Sequence, residues 1–277
     1  MIFRRNVDEL ATKTISRYLA WRWDRVSGRT GPSEPASAAQ RPHFHFHGLT
    51  ARPWWDPTGF PWVGRLEQEF DTLHRELDNL LSDGFLRPAP IETIPVRKRD
   101  LDQRLVQSGA WHLYRLFYNG YQLTENCRRC PQTARLFREI PNQWGTVGFG
   151  VMEPGTHIAP HCGPTNAKLR CHLGLEVPDG CRIRVSDETR MWVAGKCLIF
   201  DDSFEHEVWN MGSSPRYIFM VDVHHPDLIL REQQWIERMS ARLIKLAPRH
   251  MKKALEMEPR FTPAVAASET FLPRAPR

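Results

Sequence analysis

From Trp111 onward the chain breaks into short apolar runs: WHLYRLFYNG, VGFGVM, LRCHLGLEV, CRIRV, KCLIF and RYIFMVDV. Gly, Pro and Asn separate them. Such runs fit strands, because β-branched and aromatic side chains pack well on a pleated surface, while Gly, Pro and Asn supply the turn conformations between them. No helix-length periodic segment alternates with the runs, which argues against parallel β-α units. Several short strands at this spacing predict a β-sandwich or barrel.

Helical periodicity is confined to the flanks. Over residues 6–26, Val7, Leu10, Ala11, Ile15, Tyr18 and Leu19 recur at helical spacing, with Asn6 and Glu9 resembling a capping box. The polar face of this segment carries Lys13, Arg17 and Arg22, and its apolar face is expected to pack on the core. Residues 27–42, rich in Ser, Gly, Pro and Ala, read as a linker or mobile loop. His43, His45 and His47 alternate with Phe44 and Phe46, which predicts a partly exposed strand with three imidazoles on one face. After the turn-rich RPWWDPTGFPWVGRL, the spacing of Leu66, Phe70, Leu73, Leu77, Leu80 and Leu81 predicts a helix over 64–82. A further helix is expected from Asp227 to about Glu256, burying Ile229, Ile236, Met239, Leu243 and Ile244, followed by a Pro-containing tail. The organisation is therefore an N-terminal helix and linker (1–42), a β core with supporting helices (43–228), and a C-terminal helix and tail (229–277).

Composition narrows the function classes. A chain of 277 residues is long for one domain and short for two, consistent with one core plus terminal additions. The net charge of +6 is modest and no nucleic-acid motif accompanies it, so a nucleic-acid partner is not expected. No apolar run of about 18 residues is present, so no membrane span is expected. The N-terminus MIFRRNVDEL lacks a secretory apolar core, and the six cysteines read as reduced thiols, so a cytoplasmic location is expected. Cys127 and Cys130 have no second pair at zinc-ribbon spacing and are read as free thiols.

Two segments concentrate chemistry. They are EPGTHIAPHCGPTNAKLRCHLGLEVP (153–178) and IFDDSFEHEVWNMGSSPRYIFMVDVHHP (199–226). Each sets a histidine beside a β-like run, with an arginine nine or ten residues later: His161 with Arg170, and His206 with Arg216. The motifs PGTH-x-x-PH-x-GPTN (Pro154 to Asn166) and FDDSFEHEVWN (Phe200 to Asn210) resemble the catalytic core of the aspartyl/asparaginyl β-hydroxylases. The likeness extends from about Arg52 to Leu228.

That resemblance implies a mainly β fold, a double-stranded β-helix (jelly roll, cupin-like) with helices at both ends. It also implies iron(II) held by His161 and His206, 2-oxoglutarate as co-substrate, and O2 as oxidant. Non-haem iron oxygenases commonly use two histidines and a carboxylate. The usual carboxylate position, two residues after the first histidine, is here Gly163, and the resembling family likewise binds iron through two histidines alone. Glycine is expected to leave room there for water. Arg216 occupies the family's position for the distal carboxylate of 2-oxoglutarate, where a planar guanidinium gives a bidentate pair. Arg170 and His172, alternating on one strand face with Lys168, are implied to meet co-substrate or substrate. Gly150 stands where the family often has a serine. One of Asp201 and Asp202 is expected either to orient His206 or to lie in a solvated turn. His224 and His225 are expected to support the fold.

The implied reaction oxidises 2-oxoglutarate to succinate and carbon dioxide while hydroxylating an unactivated carbon. The expected substrate is an Asp- or Asn-like residue in a small molecule or peptide. With about fifty residues before the core, a large folded substrate is less favoured. The alternatives are a lipid-acyl hydroxylase of the same family and a non-catalytic jelly-roll binding protein.

Overall fold

The computed structural model describes residues 19, 22–29, 35, 37–90, 92, 103–246 and 258–259. Two antiparallel sheets carry the fold. The larger has the order β1-β10-β7-β12-β5-β3-β4-β13, built from β1 (Trp54–Trp55), β10 (Cys197–Phe200), β7 (Lys168–Glu176), β12 (Arg216–His224), β5 (Gln143–Met152), β3 (Trp111–Tyr118), β4 (Tyr121–Gln122) and β13 (Glu258–Pro259). The smaller has the order β2-β6-β11-β8-β9, from β2 (Val106–Ser108), β6 (Thr156–His161), β11 (His206–Asn210), β8 (Cys181–Val185) and β9 (Glu188–Arg190). From β6 to β12 the chain passes back and forth between the sheets, with β8 and β9 forming a hairpin in the smaller one, giving the expected double-stranded β-helix.

The period of two along a strand divides the large sheet into two buried faces. Leu169, Cys171, Leu173 and Leu175 of β7, with Phe219, Val221 and Val223 of β12, point outward into a cluster closed by helices. Those helices are α1 (Pro61–Gln68), α2 (Phe70–Ser82), α3 (Thr124–Arg129) and α4 (Pro131–Glu139). The opposite face meets the small sheet, where Met152, Ile158, Ile183, Val185, Phe200, Val208 and Ile218 fill the space between the sheets. A large sheet covered on both sides explains why its strands read as nearly continuous apolar runs.

Local details depart from the sequence pattern. The single helix expected over 64–82 is two, with Glu69 between them at φ −88°, ψ 14°. A tertiary tie accompanies the break: Glu67 accepts hydrogen bonds from the Cys197 amide (3.0 Å) and Lys196 Nζ (2.9 Å), fastening α1 to β10. The apolar spacing runs through the break, so the pattern conceals it. Buried Glu76 of α2 accepts from the amides of Gln132 (2.8 Å) and Thr133 (2.9 Å), satisfying donors in the first turn of α4. Cys127 and Cys130 flank the α3–α4 junction as buried free thiols.

The alternating histidines do not form the predicted strand. Phe44 makes one isolated bridge to Thr165. His43 is exposed, whereas His47 is buried and its Nε2 lies 3.1 Å from the Arg29 carbonyl and from Asp24. The segment follows a docking surface instead: Phe46 packs edge-on against Trp23 and Trp235, with Trp23–Phe46 centroids 5.0 Å apart, and the two tryptophans meet at a tilt. Of the predicted N-terminal helix, residues 22–27 are helical, and Leu19 and Trp23 are buried in this cluster; residues 6–18 lie outside the described residues. The C-terminal helix is α5 (Leu230–Leu246). Ile236 is buried as expected, but Ile229 is 51% exposed because it precedes the first turn, where its amide donates to Glu232. The side chains of Leu243 and Ile244 lie outside the described ones.

Candidate metal and co-substrate site

The two sequence-predicted histidines meet across the small sheet. His161 ends β6, His206 begins β11, and they are direct partners in the antiparallel register, with ring centroids 4.0 Å apart. Each Nδ1 faces a carbonyl oxygen two residues earlier in the chain, Ala159 O at 2.8 Å for His161 and Phe204 O at 2.9 Å for His206. A carbonyl only accepts, so each Nδ1 carries the hydrogen and the lone pair resides on Nε2, a tautomer able to ligate a metal through Nε2. Burial, then the neighbouring His161, pushes the His206 imidazole down to about 3, so it is neutral at ordinary pH and competent to ligate.

Gly163 does not leave the open space for water that the sequence predicts. A Cβ there would lie 2.5 Å from Cγ of Asp202. The Asp202 carboxylate therefore occupies the space that a side chain at position 163 would enter. Nor is there a solvated turn: Asp201 and Asp202 are 0% and 1% exposed. Asp201 accepts the Ser203 amide at 2.9 Å. Asp202 Oδ2 accepts from Lys168 Nζ (2.7 Å) and Arg170 Nη1 (3.1 Å), while Oδ1 is buried without a hydrogen-bond partner among the described residues. Burial raises the Asp202 pKa, but Arg170 and Lys168 outweigh it and hold the carboxyl well below the usual range.

Arg170, which the sequence reading directed toward co-substrate or substrate, is engaged by protein carboxylates. Its Nε lies 2.8 Å from Asp222 Oδ1, and Lys168 Nζ lies 3.1 Å from Asp222 Oδ2. Two cations and two carboxylates thus form one buried network under the histidines. Removing one member of such a network typically costs about 3–5 kcal/mol.

Arg216 is different. It begins β12, is 2% exposed, and its Nε and Nη1 have no hydrogen-bond partner among the described residues. Its guanidinium carbon stands 4.5 Å from the centroid of the Trp192 ring, and burial lowers its pKa to about 10. Beside it, both ring nitrogens of His172 are buried and unpartnered, and burial together with Arg216 and Arg170 holds His172 well below the usual histidine pKa. His172 stacks at 6.0 Å on Trp192 and meets Phe200 edge-on at 5.1 Å; Phe200 in turn lies 5.8 Å from His206. A chain of ring contacts therefore joins the arginine to the histidine pair. Unsatisfied buried donors are costly, about 1–3 kcal/mol each and more for charged groups, so this pair fits a guest carboxylate. Gly150 faces the same interior, its hypothetical Cβ 3.1 Å from Ile218.

Trp192 was not singled out from the sequence; its signal was a Trp between exposed Met191 and Val193 in a turn-rich stretch. His224 stacks on Trp144 at 4.9 Å, packed toward α5. Among the described residues another group, His74, Asp78 and Glu176, brings possible ligand atoms together. It lies at the surface, with the two ring nitrogens already facing carboxylates at 3.3 and 3.1 Å.

Fold and site define a double-stranded β-helix protein with a two-histidine centre and a buried arginine pocket. The chain belongs to the aspartyl/asparaginyl β-hydroxylase family, whose model matches residues 67–226. It is 36% identical over 236 residues to the human aspartyl/asparaginyl beta-hydroxylase, covering 81% of this chain and 29% of that protein. It is 42% identical over 138 residues to human aspartate beta-hydroxylase domain-containing protein 2, covering 47% of this chain and 37% of that one. The chain thus spans about a third of the length of these relatives. Among solved structures, a predicted oxalate decarboxylase from Thermotoga maritima overlaps 50% of this chain and 93% of its own, with TM-score 0.32 and 12% identity.

Proposed function

We propose that the protein is an iron(II)- and 2-oxoglutarate-dependent hydroxylase acting on an Asp- or Asn-like residue of a small molecule or peptide. One observation carries this reading. A pair of Nε2-presenting histidines shares a chamber with a buried arginine whose Nε and Nη1 lack an acceptor among the described residues. Metal with no anion would leave Arg216 unexplained, and an anion with no metal would leave the paired histidine tautomers unexplained.

His161 and His206 would hold the iron, which when bound supplies the activation of dioxygen coupled to decarboxylation of 2-oxoglutarate. Arg216 would grip the distal carboxylate through two charge-assisted hydrogen bonds, its plane backed by Trp192. His172, kept neutral by burial, offers one donor and one acceptor to the same guest. Asp202 Oδ1 remains as a buried acceptor beside the histidines. Lys168 and Arg170 neutralise Asp202 and Asp222, so the chamber stays near neutral before a dianionic co-substrate enters. Phe200 and Trp192 keep the interior dry, which strengthens each of these contacts. The family membership supports Asp- or Asn-type substrates.

The test is succinate release under iron(II), 2-oxoglutarate and O2, screened over Asp- and Asn-containing amino acids and peptides. His161→Ala and His206→Ala should abolish turnover. Arg216→Lys loses the planar fork, so its apparent 2-oxoglutarate affinity should fall at least about tenfold, equivalent to about 1.4 kcal/mol. Unchanged 2-oxoglutarate affinity in Arg216→Lys would overturn the co-substrate assignment.

A further inference from the structure

Residues 37–41 precede the barrel in sequence but are fastened to both histidine-bearing segments. Gln40 forms an antiparallel bridge with Phe204, flanked by Arg41 N donating to Ser203 O (3.1 Å) and Glu205 N donating to Ala39 O (2.6 Å). The Ala39 carbonyl is also approached by Cys162 Sγ at 3.9 Å. One carbonyl therefore touches the residue after His161 and the residue before His206. The Gln40 side chain is 2% exposed, and its Nε2 donates to Ser203 Oγ (3.0 Å) and Asp201 Oδ2 (3.3 Å). These groups belong to the turn in which Phe204 N donates to Asp201 O (3.2 Å). Phe204 also supplies the carbonyl that fixes the His206 tautomer.

The chain of contacts runs from Gln40 to the 201–204 turn, then to Phe204 O, His206 Nδ1 and the ligating nitrogen. Arg41 continues it outward by pairing with Glu205, which also meets Arg184 at 3.1 Å. Packing alone does not account for glutamine at position 40. Its Oε1 is buried with no hydrogen-bond partner, a cost that an apolar side chain would avoid.

We infer that residues Ala39–Arg41 form a strap that sets the metal centre, with Gln40 a positioning residue that holds the 201–204 turn and thereby the orientation of His206. This rests on the two-histidine metal reading above. Ligand-orienting partners of this kind typically change metal affinity about 10- to 100-fold when removed.

The experiment uses the full chain and Co(II) alone, without oxygen or co-substrate. Co(II) affinity and visible absorption are measured for the unmodified protein, His206→Ala and Gln40→Leu, with near-ultraviolet circular dichroism reporting the fold. Gln40→Leu should keep the dichroism, bind Co(II) at least about tenfold more weakly, and show an altered cobalt spectrum. If it fails to fold, Arg41→Pro, which deletes the N–H donated to Ser203, carries the same expectation. Unchanged affinity and spectrum in the folded variant overturn the strap. If the unmodified protein and His206→Ala bind Co(II) equally, the metal centre itself is refuted, an outcome distinct from failure of the strap alone.

Discussion

A methyl group at position 163 has nowhere to go. It would approach Asp202 Cγ to 2.5 Å and both carboxylate oxygens to within 2.7 Å. Asp202 cannot retreat, since Lys168 and Arg170 clamp its Oδ2 and its backbone carbonyl accepts from the Gly163 amide at 2.6 Å. Gly163→Ala should therefore lower the unfolding free energy by about 1–3 kcal/mol through overpacking. Gly163→Asp should cost more, because it forces a second carboxylate against a buried one already charged. Restoring the carboxylate seen in most two-histidine oxygenases should thus weaken both fold and metal binding. Denaturant unfolding and metal titration measure the two effects, and a Gly163→Asp protein with native stability and tighter metal binding would sink the argument. The sequence showed that position 163 lacks a carboxylate, but not that Asp202, distant in the chain, already fills the space. That fact depends on β6 and β11 meeting in register.

At the scale of elements, legibility followed burial. Strands β3, β5, β7, β8, β10 and β12 were visible because their apolar residues form compact runs. Strands β6 and β11, which carry the candidate ligands, were read as motifs beside strands, because THIAPH and HEVWN mix polar, charged and proline residues. Inward, Ile158 and Val208 enter the core between the sheets while His161 and His206 sit at the site, so each strand buries too few apolar residues to show a stripe. The His43–His47 alternation misled for the opposite reason: with one bridge to the barrel, its pattern reflects docking against Trp23 rather than a pleat. Docking of α5 gives a prediction at this scale. His224 stacks on Trp144 and faces Glu237 Oε1 at 3.0 Å, yet burial lowers its pKa more than Glu237 raises it. The unfolded histidine, near pKa 6.5, therefore binds a proton first. The stability contribution is complete above that pH and is lost as pH falls toward the folded value. His172, His206 and His225 shift in the same direction, whereas Asp201, raised to about 7 by burial, acts oppositely. Comparing His224→Phe with the parent isolates one proton. Its unfolding free energy between pH 7.5 and 5.5 should decline less steeply, by up to about 1.4 kcal/mol per pH unit. Identical slopes would mean His224 does not titrate below its unfolded value.

For the whole molecule, the two sheets carry different halves of the site. The small sheet presents His161 and His206, while the large sheet presents Arg216, His172, Lys168 and Arg170. On the proposed reading a metal would engage the first set and a carboxylate-bearing guest would bridge to the second, so ligands should tie one sheet to the other. Any ligand bound by the native state alone stabilises it, by about 2.7 kcal/mol at a hundredfold excess over its dissociation constant. For a domain of this size, each kcal/mol corresponds to about 2–4 °C in the unfolding midpoint. Under anaerobic conditions iron(II) should raise Tm by several degrees, and 2-oxoglutarate should add a further rise only when metal is present. The two halves should separate by mutation. His206→Ala should lose both increments, whereas Arg216→Met should keep the metal increment and lose the one from 2-oxoglutarate. Without ligands, Arg216→Met should melt at or above the parent temperature, because it removes a buried guanidinium whose Nε and Nη1 find no acceptor among the described residues. That combination, higher intrinsic stability with a lost ligand response, is what a residue retained for binding rather than folding must show. If Arg216→Met instead melts well below the parent and still responds to 2-oxoglutarate, the arginine belongs to the scaffold and the guest carboxylate must be held elsewhere.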